Sequence, residues 1–223
     1  MGIPTRVPTG TGRARRLVLV RHGRTAWNAE GRAQGHADVG LDDLGRHQAE
    51  LMAPVVAGYD PVALFSSDLS RARETAAALE RATGLTAVVD ARLREYDTGA
   101  RTGLTREEYA ATLAPGAAAT WDAHSHVEAE GGESVGDVGE RIVPALLEVL
   151  DGLEEGRTAV VVLHGAALRV ALAGLLGWPL TTADGLEAMR NCGWAVLREH
   201  DHHRLRLAAY NRTAEEGPPD SRP

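Results

Sequence analysis

Short apolar runs separated by longer stretches of helical period constrain this chain more than any other feature. Leu17-Val18-Leu19-Val20, Val62-Ala63-Leu64-Phe65, Ala87-Val88-Val89 and Ala159-Val160-Val161-Val162-Leu163 are continuous rather than alternating, which predicts strands buried on both faces. Helical periodicity falls near 43–57, 69–82, 105–113, 134–151 and 166–176. Strands that alternate with helices predict a three-layer α/β/α sandwich with a mostly parallel central sheet. Ser134 and Asp137 have the spacing of a capping box and predict a helix start there. Trp194–Glu199 and Leu205–Tyr210 predict one antiparallel pair joined by a turn over His200–Arg204. Residues 1–16 and 213–223 show no apolar period, so the expected organisation is one domain over 17–212 between two loose tails.

Composition removes whole classes of function. A formal net charge of -7 argues against a nucleic-acid partner, because binding a phosphate backbone needs a clustered basic surface. All 24 basic residues are arginine, so a Walker lysine, a lysine Schiff base and a catalytic lysine are excluded. The one cysteine, Cys192, excludes an intramolecular disulfide and a CxxC zinc site, and it fits a reducing cytoplasm. No run approaches the roughly 20 apolar residues that span a bilayer, and the N-terminus lacks the apolar segment of a signal peptide. A soluble cytoplasmic chain without membrane partners is expected.

In open α/β sheets ligands bind beyond the carboxyl ends of the strands, so polar residues directly after the apolar runs carry the functional expectation. The first run leads into Arg21-His22-Gly23-Arg24-Thr25, the second into Ser66-Ser67-Asp68 and Arg71, the third to Arg94-Glu95, and the fourth into His164-Gly165. Two histidines, two arginines and a carboxylate would converge at one sheet edge. Such a set suits a phosphate: arginine presents a fixed fork of donors, and glycine lets backbone N–H groups approach closely.

These residues resemble a known family. Leu19-Val20-Arg21-His22-Gly23-Arg24-Thr25-Ala26-Trp27-Asn28 is similar to the RHGxTxxN signature of the histidine phosphatase superfamily, the phosphoglycerate mutase-like fold. The resemblance continues in the family's order through Gln34-Gly35, Gly45 with Gln48-Ala49, Ser66 to Ala72 with Thr75-Ala76, Leu93-Arg94-Glu95, Gly132-Glu133-Ser134, His164-Gly165 and Asn191-Cys192. It implies that His22 is a nucleophile that becomes phosphohistidine, attacking as a neutral imidazole. It also implies that Arg21, Arg71 and His164 surround the transferring group, that Asn28, Gln34, Gly35 and Gly165 complete the cradle, and that Glu95 protonates the leaving alkoxide and then activates water. No metal and no cofactor are implied, and the partner is a small phosphorylated metabolite.

The chain departs from the family pattern in places. Thr102-Gly103 stands where many relatives carry Glu-Gly, Leu163 where Ser or Thr precedes the second histidine, and Asp42-Asp43 where a Thr-centred helix start is usual. Cofactor-dependent phosphoglycerate mutases carry a Glu-Arg-x-Tyr-Gly segment followed by lysine. Glu95 to Arg101 departs from that segment and lysine is absent, which favours hydrolysis over phosphoryl return. Substrate choice is expected in 96–133, with Arg101 available for a second anion and Trp121 for stacking. The stretch from Gly103 to Ser134 is similar to glucosyl-3-phosphoglycerate phosphatases, which implies a sugar- or glycerate-phosphate.

Alternatives remain beside this reading. Asp97 or Glu133 could supply the carboxyl in place of Glu95. A phosphoglycerate mutase and a non-catalytic phosphate-binding module use the same cradle. His124 with His126, and His200 with His202 and His203, read as strand and turn residues without a third ligand at zinc spacing. The C-terminal strand pair could extend a sheet across a homodimer.

Overall fold

The computed structural model describes residues 14–114, 129–200 and 204–214. Its centre is a six-stranded sheet of order β3-β2-β4-β1-β5-β6, with β1 at Arg16–Arg21, β2 at Pro61–Ser66, β3 at Val88–Val89, β4 at Thr158–Leu163, β5 at Trp194–Glu199 and β6 at Leu205–Arg212. The first four strands in that order run parallel, while β5 and β6 are antiparallel additions beside β1.

Helices cover both faces, which is why the central strands read as unbroken apolar runs. In β1, Leu17 and Leu19 join one core with Ile142, Leu146 and Leu168, whereas Val18 and Val20 join the other with Met52, Val56 and Leu79. The first core packs under α5 (Val135–Asp151) and α6 (Gly165–Leu175), the second under α2 (Asp43–Ala57) and α3 (Ser70–Thr83). Leu17, Val18, Leu19 and Val20 have no exposed surface, and burying side chains of this size contributes roughly 1.5–3 kcal/mol each relative to leaving them in water. Two shorter helices, α1 (Ala26–Ala29) and α4 (Arg106–Ala110), start at capping boxes built on Thr25 and Thr105.

The expected helix starts hold where capping chemistry was readable. Ser134 accepts from the backbone of Asp137, whose carboxylate accepts from the Ser134 backbone in return. Asp42 caps α2 by accepting from Gly45 N at 2.7 Å, so the acidic pair does the work expected of a threonine.

Three expectations need correction. The run at 87–89 is not doubly buried: it ends as a two-residue edge strand whose Val88 and Val89 are 58% and 50% exposed, because among the described residues only β2 pairs with it. Val62 is likewise exposed, at a register shift between β2 and β4. The helix expected over 105–113 closes after one turn and a half, at Ala110. The strand reading of His124 and His126, the stacking role of Trp121, and the turn histidines 202 and 203 lie outside the described residues.

Candidate active site

Register builds the site. β1 and β4 are adjacent and parallel, and Arg21 pairs with Leu163, so the residues that follow, His22 and His164, emerge side by side. Their ring centroids are 5.2 Å apart and tilted by 58°. Both are buried, at 3% and 0% exposure.

The two imidazoles are held in opposite tautomers. His22 Nδ1 lies 2.7 Å from the carbonyl of Gly23; a carbonyl only accepts, so Nδ1 carries the proton and Nε2 keeps its lone pair. His164 Nδ1 accepts from Arg71 Nε at 3.2 Å, so its proton is on Nε2, a buried atom with no partner among the described residues. Burial, reinforced by the charge of Arg71, holds both rings well below the ordinary histidine value. One ring therefore presents a neutral lone pair at Nε2 and the other a neutral N–H donor at Nε2.

Two guanidinium groups flank them. Arg71 starts α3 and is fully buried. Its terminal nitrogens donate to the carbonyls of Ala37 and Gly35, each at 2.8 Å. Burial lowers its pKa to about 10, partly offset by Glu95, so it stays charged at neutral pH. Arg21 donates to the Met189 carbonyl while its Nε lies buried without a hydrogen-bond partner among the described residues, and burial lowers its pKa as well. Neither stands within salt-bridge distance of a carboxylate among the described residues. A charge as buried as that of Arg71 is costly without a counter-charge, and an oxyanion bound beside the two guanidinium groups would offset that cost.

Glycine makes the approach possible. A Cβ on Gly165 would stand 3.2–3.3 Å from Arg21 Nε, Cδ and Cζ, so glycine lets Arg21 lie against the first turn of α6 without having to shift. Gly35 has φ +51°, and a Cβ there would meet Thr98 Oγ1 at 2.4 Å.

The polar rim is tied to the same loop. Asn28 Oδ1 accepts from Thr25 N at 3.2 Å and from Asn191 Nδ2 at 3.2 Å, which turns its amide nitrogen away from these two donors. Asn191 Nδ2 also donates to the His22 carbonyl at 3.1 Å. Gln34 is buried and accepts from Thr25 Oγ1 at 3.0 Å.

Of the three candidate carboxylates, Glu95 stands at the site. Its Oε1 accepts from the backbone of Ala167 at 2.8 Å and of Tyr96 at 3.1 Å, and its Oε2 from Ala166 at 3.1 Å. It thereby caps the helix whose N-cap is His164. Glu133 is instead paired with Arg141, and Asp97 accepts from Gly99 N and lies 3.6 Å from His36.

Arg101 is not brought to the histidines by any contact among the described residues. It is half-buried, and the charges that act on it are those of Arg106 and Tyr109. Thr102 Oγ1 lies 2.8 Å from Thr98 Oγ1, so this departure from the family packs a turn. Leu163 is fully buried in the α5–α6 core.

Met189, Arg141 and His36 belong to the site's support and were not legible in the sequence. Met189 acts through its carbonyl, which carries no side-chain signal. A groove of about 460 Å³ between α3 and β3, lined by Ser70, Arg73, Glu74 and Val89 among others, contains none of these groups.

Residues 17–213 match the model of the histidine phosphatase superfamily, branch 1. A glucosyl-3-phosphoglycerate phosphatase from Mycolicibacterium vanbaalenii is 40% identical over 194 residues, covering 84% of this chain and 86% of that protein. A protein of Yersinia pestis described as a probable phosphoglycerate mutase is 37% identical over 186 residues, covering 79% and 81%. The solved structure of mycobacterial glucosyl-3-phosphoglycerate phosphatase with VO3 superposes with a TM-score of 0.81 at 38% identity, covering 90% of this chain and 100% of that one.

Proposed function

Because the chain belongs to the histidine phosphatase superfamily, branch 1, we propose that it is a phosphomonoesterase that carries the phosphoryl group on His22. The observation that carries this reading is the pair of neutral histidines in opposite tautomers beside the buried Arg71 and the half-buried Arg21. The mycobacterial phosphatases, at up to 40% identity, support hydrolysis of glucosyl-3-phosphoglycerate or a related sugar- or glycerate-phosphate.

In the first half-reaction the Nε2 lone pair of His22 attacks phosphorus and the P–O ester bond breaks. The leaving alkoxide takes the proton of a protonated Glu95. Arg21, Arg71 and the Nε2–H of His164 neutralise the equatorial oxygens, with Asn28 and the Gly165 region as further donors. In the second half-reaction Glu95, now a carboxylate, accepts a proton from water as that water attacks phosphorus. The P–N bond breaks, phosphate leaves, and Nε2 regains its lone pair. Fixed guanidinium and N–H groups supply the charge stabilisation, so this scheme uses no metal or cofactor.

Support for the mutase reading comes from relatives such as the 37% identical Yersinia protein. It requires the phosphoryl group to return to a phosphoglycerate rather than to water. The lone thiol, Cys192, is buried and suits the reducing cytoplasm in which this reading places the enzyme. β6 is a sheet edge and would be the place for a homodimer contact.

The test is phosphate release from a panel of phosphomonoesters in excess chelator, parent against His22→Ala. Turnover that persists in chelator and is lost in the variant is expected, together with one acid-labile phosphate per chain. Isomerised phosphoglycerate without free phosphate would replace this reading with the mutase, and vanadate binding without any turnover would replace it with a binding module.

A further inference from the structure

The loop that delivers Glu95 belongs to no regular element. It follows a single 3-10 turn at Ala91–Leu93, and the backbone carbonyls of Arg92, Arg94 and Glu95 have no helix or strand ladder to satisfy them. Unsatisfied carbonyls in a partly buried loop must find a donor elsewhere.

One side chain supplies it. Arg141 on α5 donates from one terminal nitrogen to the carbonyls of Arg92 at 2.9 Å and Arg94 at 2.8 Å, and from the other to the carbonyl of Glu95 at 2.8 Å. Its remaining two N–H groups form a fork on Glu133, at 2.7 and 2.8 Å. All five donors of the guanidinium are therefore committed, and none is left for a substrate. Glu133 also accepts from the backbone of Asp97 at 2.8 Å, and His36 Nε2 makes a second contact with the Glu95 carbonyl at 2.9 Å. The peptide of Glu95 is thus gripped from its carbonyl side while its carboxylate reaches the first turn of α6.

We propose that Arg141, fixed by Glu133 and assisted by His36, is a positioning residue for the Glu95 carboxyl, and that it governs protonation of the leaving group without touching the substrate. The inference rests on Glu95 being the general acid, as proposed above. A mere structural pin would lower the activity toward every ester alike. A residue that aims an acid matters in proportion to how badly the leaving group needs a proton.

The experiment reads kcat/KM, which reports only the steps through leaving-group departure, for p-nitrophenyl phosphate and for phenyl phosphate. The first expels a stable phenolate and the second requires more help. In Arg141→Gln, phenyl phosphate should lose about 30-fold or more while p-nitrophenyl phosphate loses less than about 3-fold. Glu95→Gln should show the same selectivity, and Arg141→Gln should add little on that background. Equal losses on both esters, or no loss, in Arg141→Gln with Glu95→Gln selective would overturn this inference alone. A non-selective Glu95→Gln would overturn the acid assignment and the inference with it. If Arg141→Gln does not unfold cooperatively, Glu133→Gln, which weakens the fork while keeping an acceptor, is read by the same criterion.

Discussion

Arg71 donates its Nε–H to Nδ1 of His164 across 3.2 Å, linking the start of α3 to the end of β4 and fixing which nitrogen of His164 carries the proton. The same guanidinium holds the carbonyls of Gly35 and Ala37. A lysine keeps the charge but offers no planar fork, so it cannot hold the ring and both carbonyls together. Arg71→Lys should therefore reduce kcat/KM about 100- to 1,000-fold, the range for losing a preorganised anion-stabilising donor. Steady-state kinetics measures the loss, and the ring-nitrogen resonances of His164 should show mixed tautomers. Activity near the parent's would mean that charge alone suffices at this position.

The buried histidines make stability depend on pH. Burial and Arg71 push both His22 and His164 well below 6.5, whereas in the unfolded chain they titrate at the ordinary value. Between those limits the unfolded state binds more protons than the folded one. Their contribution is fully present above the unfolded value and is lost as pH falls from about 6.5 toward the folded values, at up to about 1.4 kcal/mol per pH unit for each ring. Urea unfolding in phosphate-free buffer should show a midpoint that declines on acidification, and His164→Gln should decline less steeply. Parallel slopes would show that His164 takes up no proton on unfolding.

Asn191 ties the His22 loop to the rim, donating from Nδ2 to the His22 carbonyl and to Asn28 Oδ1. The His22 carbonyl retains Cys192 N at 3.2 Å if Asn191 is removed, but Asn28 loses one of the two donors that orient its amide. Asn191→Ala should weaken phosphate or vanadate inhibition about tenfold, the equivalent of one hydrogen bond of about 1.4 kcal/mol. kcat should change much less. A fall in kcat with unchanged inhibition would place Asn191 on the nucleophile instead of the rim.

Much of this architecture was legible because its causes are local. The unbroken run Leu17-Val18-Leu19-Val20 carries the mark of burial on both faces, and Ser134 with Asp137 carries the start of α5 in two side chains. Polar residues placed just after apolar runs foretold where His22, Arg71, Glu95 and His164 meet. What was not legible depends on neighbours far away in sequence. Val88 and Val89 look like a core strand and are exposed because, among the described residues, no strand lies beyond them. Arg141 looks like a surface charge on α5 until the loop from Arg92 to Glu95 is laid against it. Arg101, in the turn at Gly99–Arg101, feels the charges of Arg106 and Tyr109 on α4, and no residue near it in sequence signals that neighbourhood.

Gly165 separates stability from activity. It is the first residue of α6, and a Cβ there would stand 3.2 Å from Arg21 Nε and 3.3 Å from its Cδ and Cζ. Contacts that tight require Arg21 to move by a few tenths of an ångström, yet its terminal nitrogen is held by the Met189 carbonyl. Alanine is the better helix residue by about 1 kcal/mol in a helix interior, and less at a first-turn position. Gly165→Ala should then leave the unfolding midpoint near the parent's, because the helical gain and the local crowding oppose each other. Its kcat/KM should fall about tenfold, since small displacements of a charge-stabilising group are costly in a preorganised site. Thermal unfolding and phosphate release on the same preparation test both halves. A stable variant with full activity would show that Arg21 need not lie against the first turn of α6.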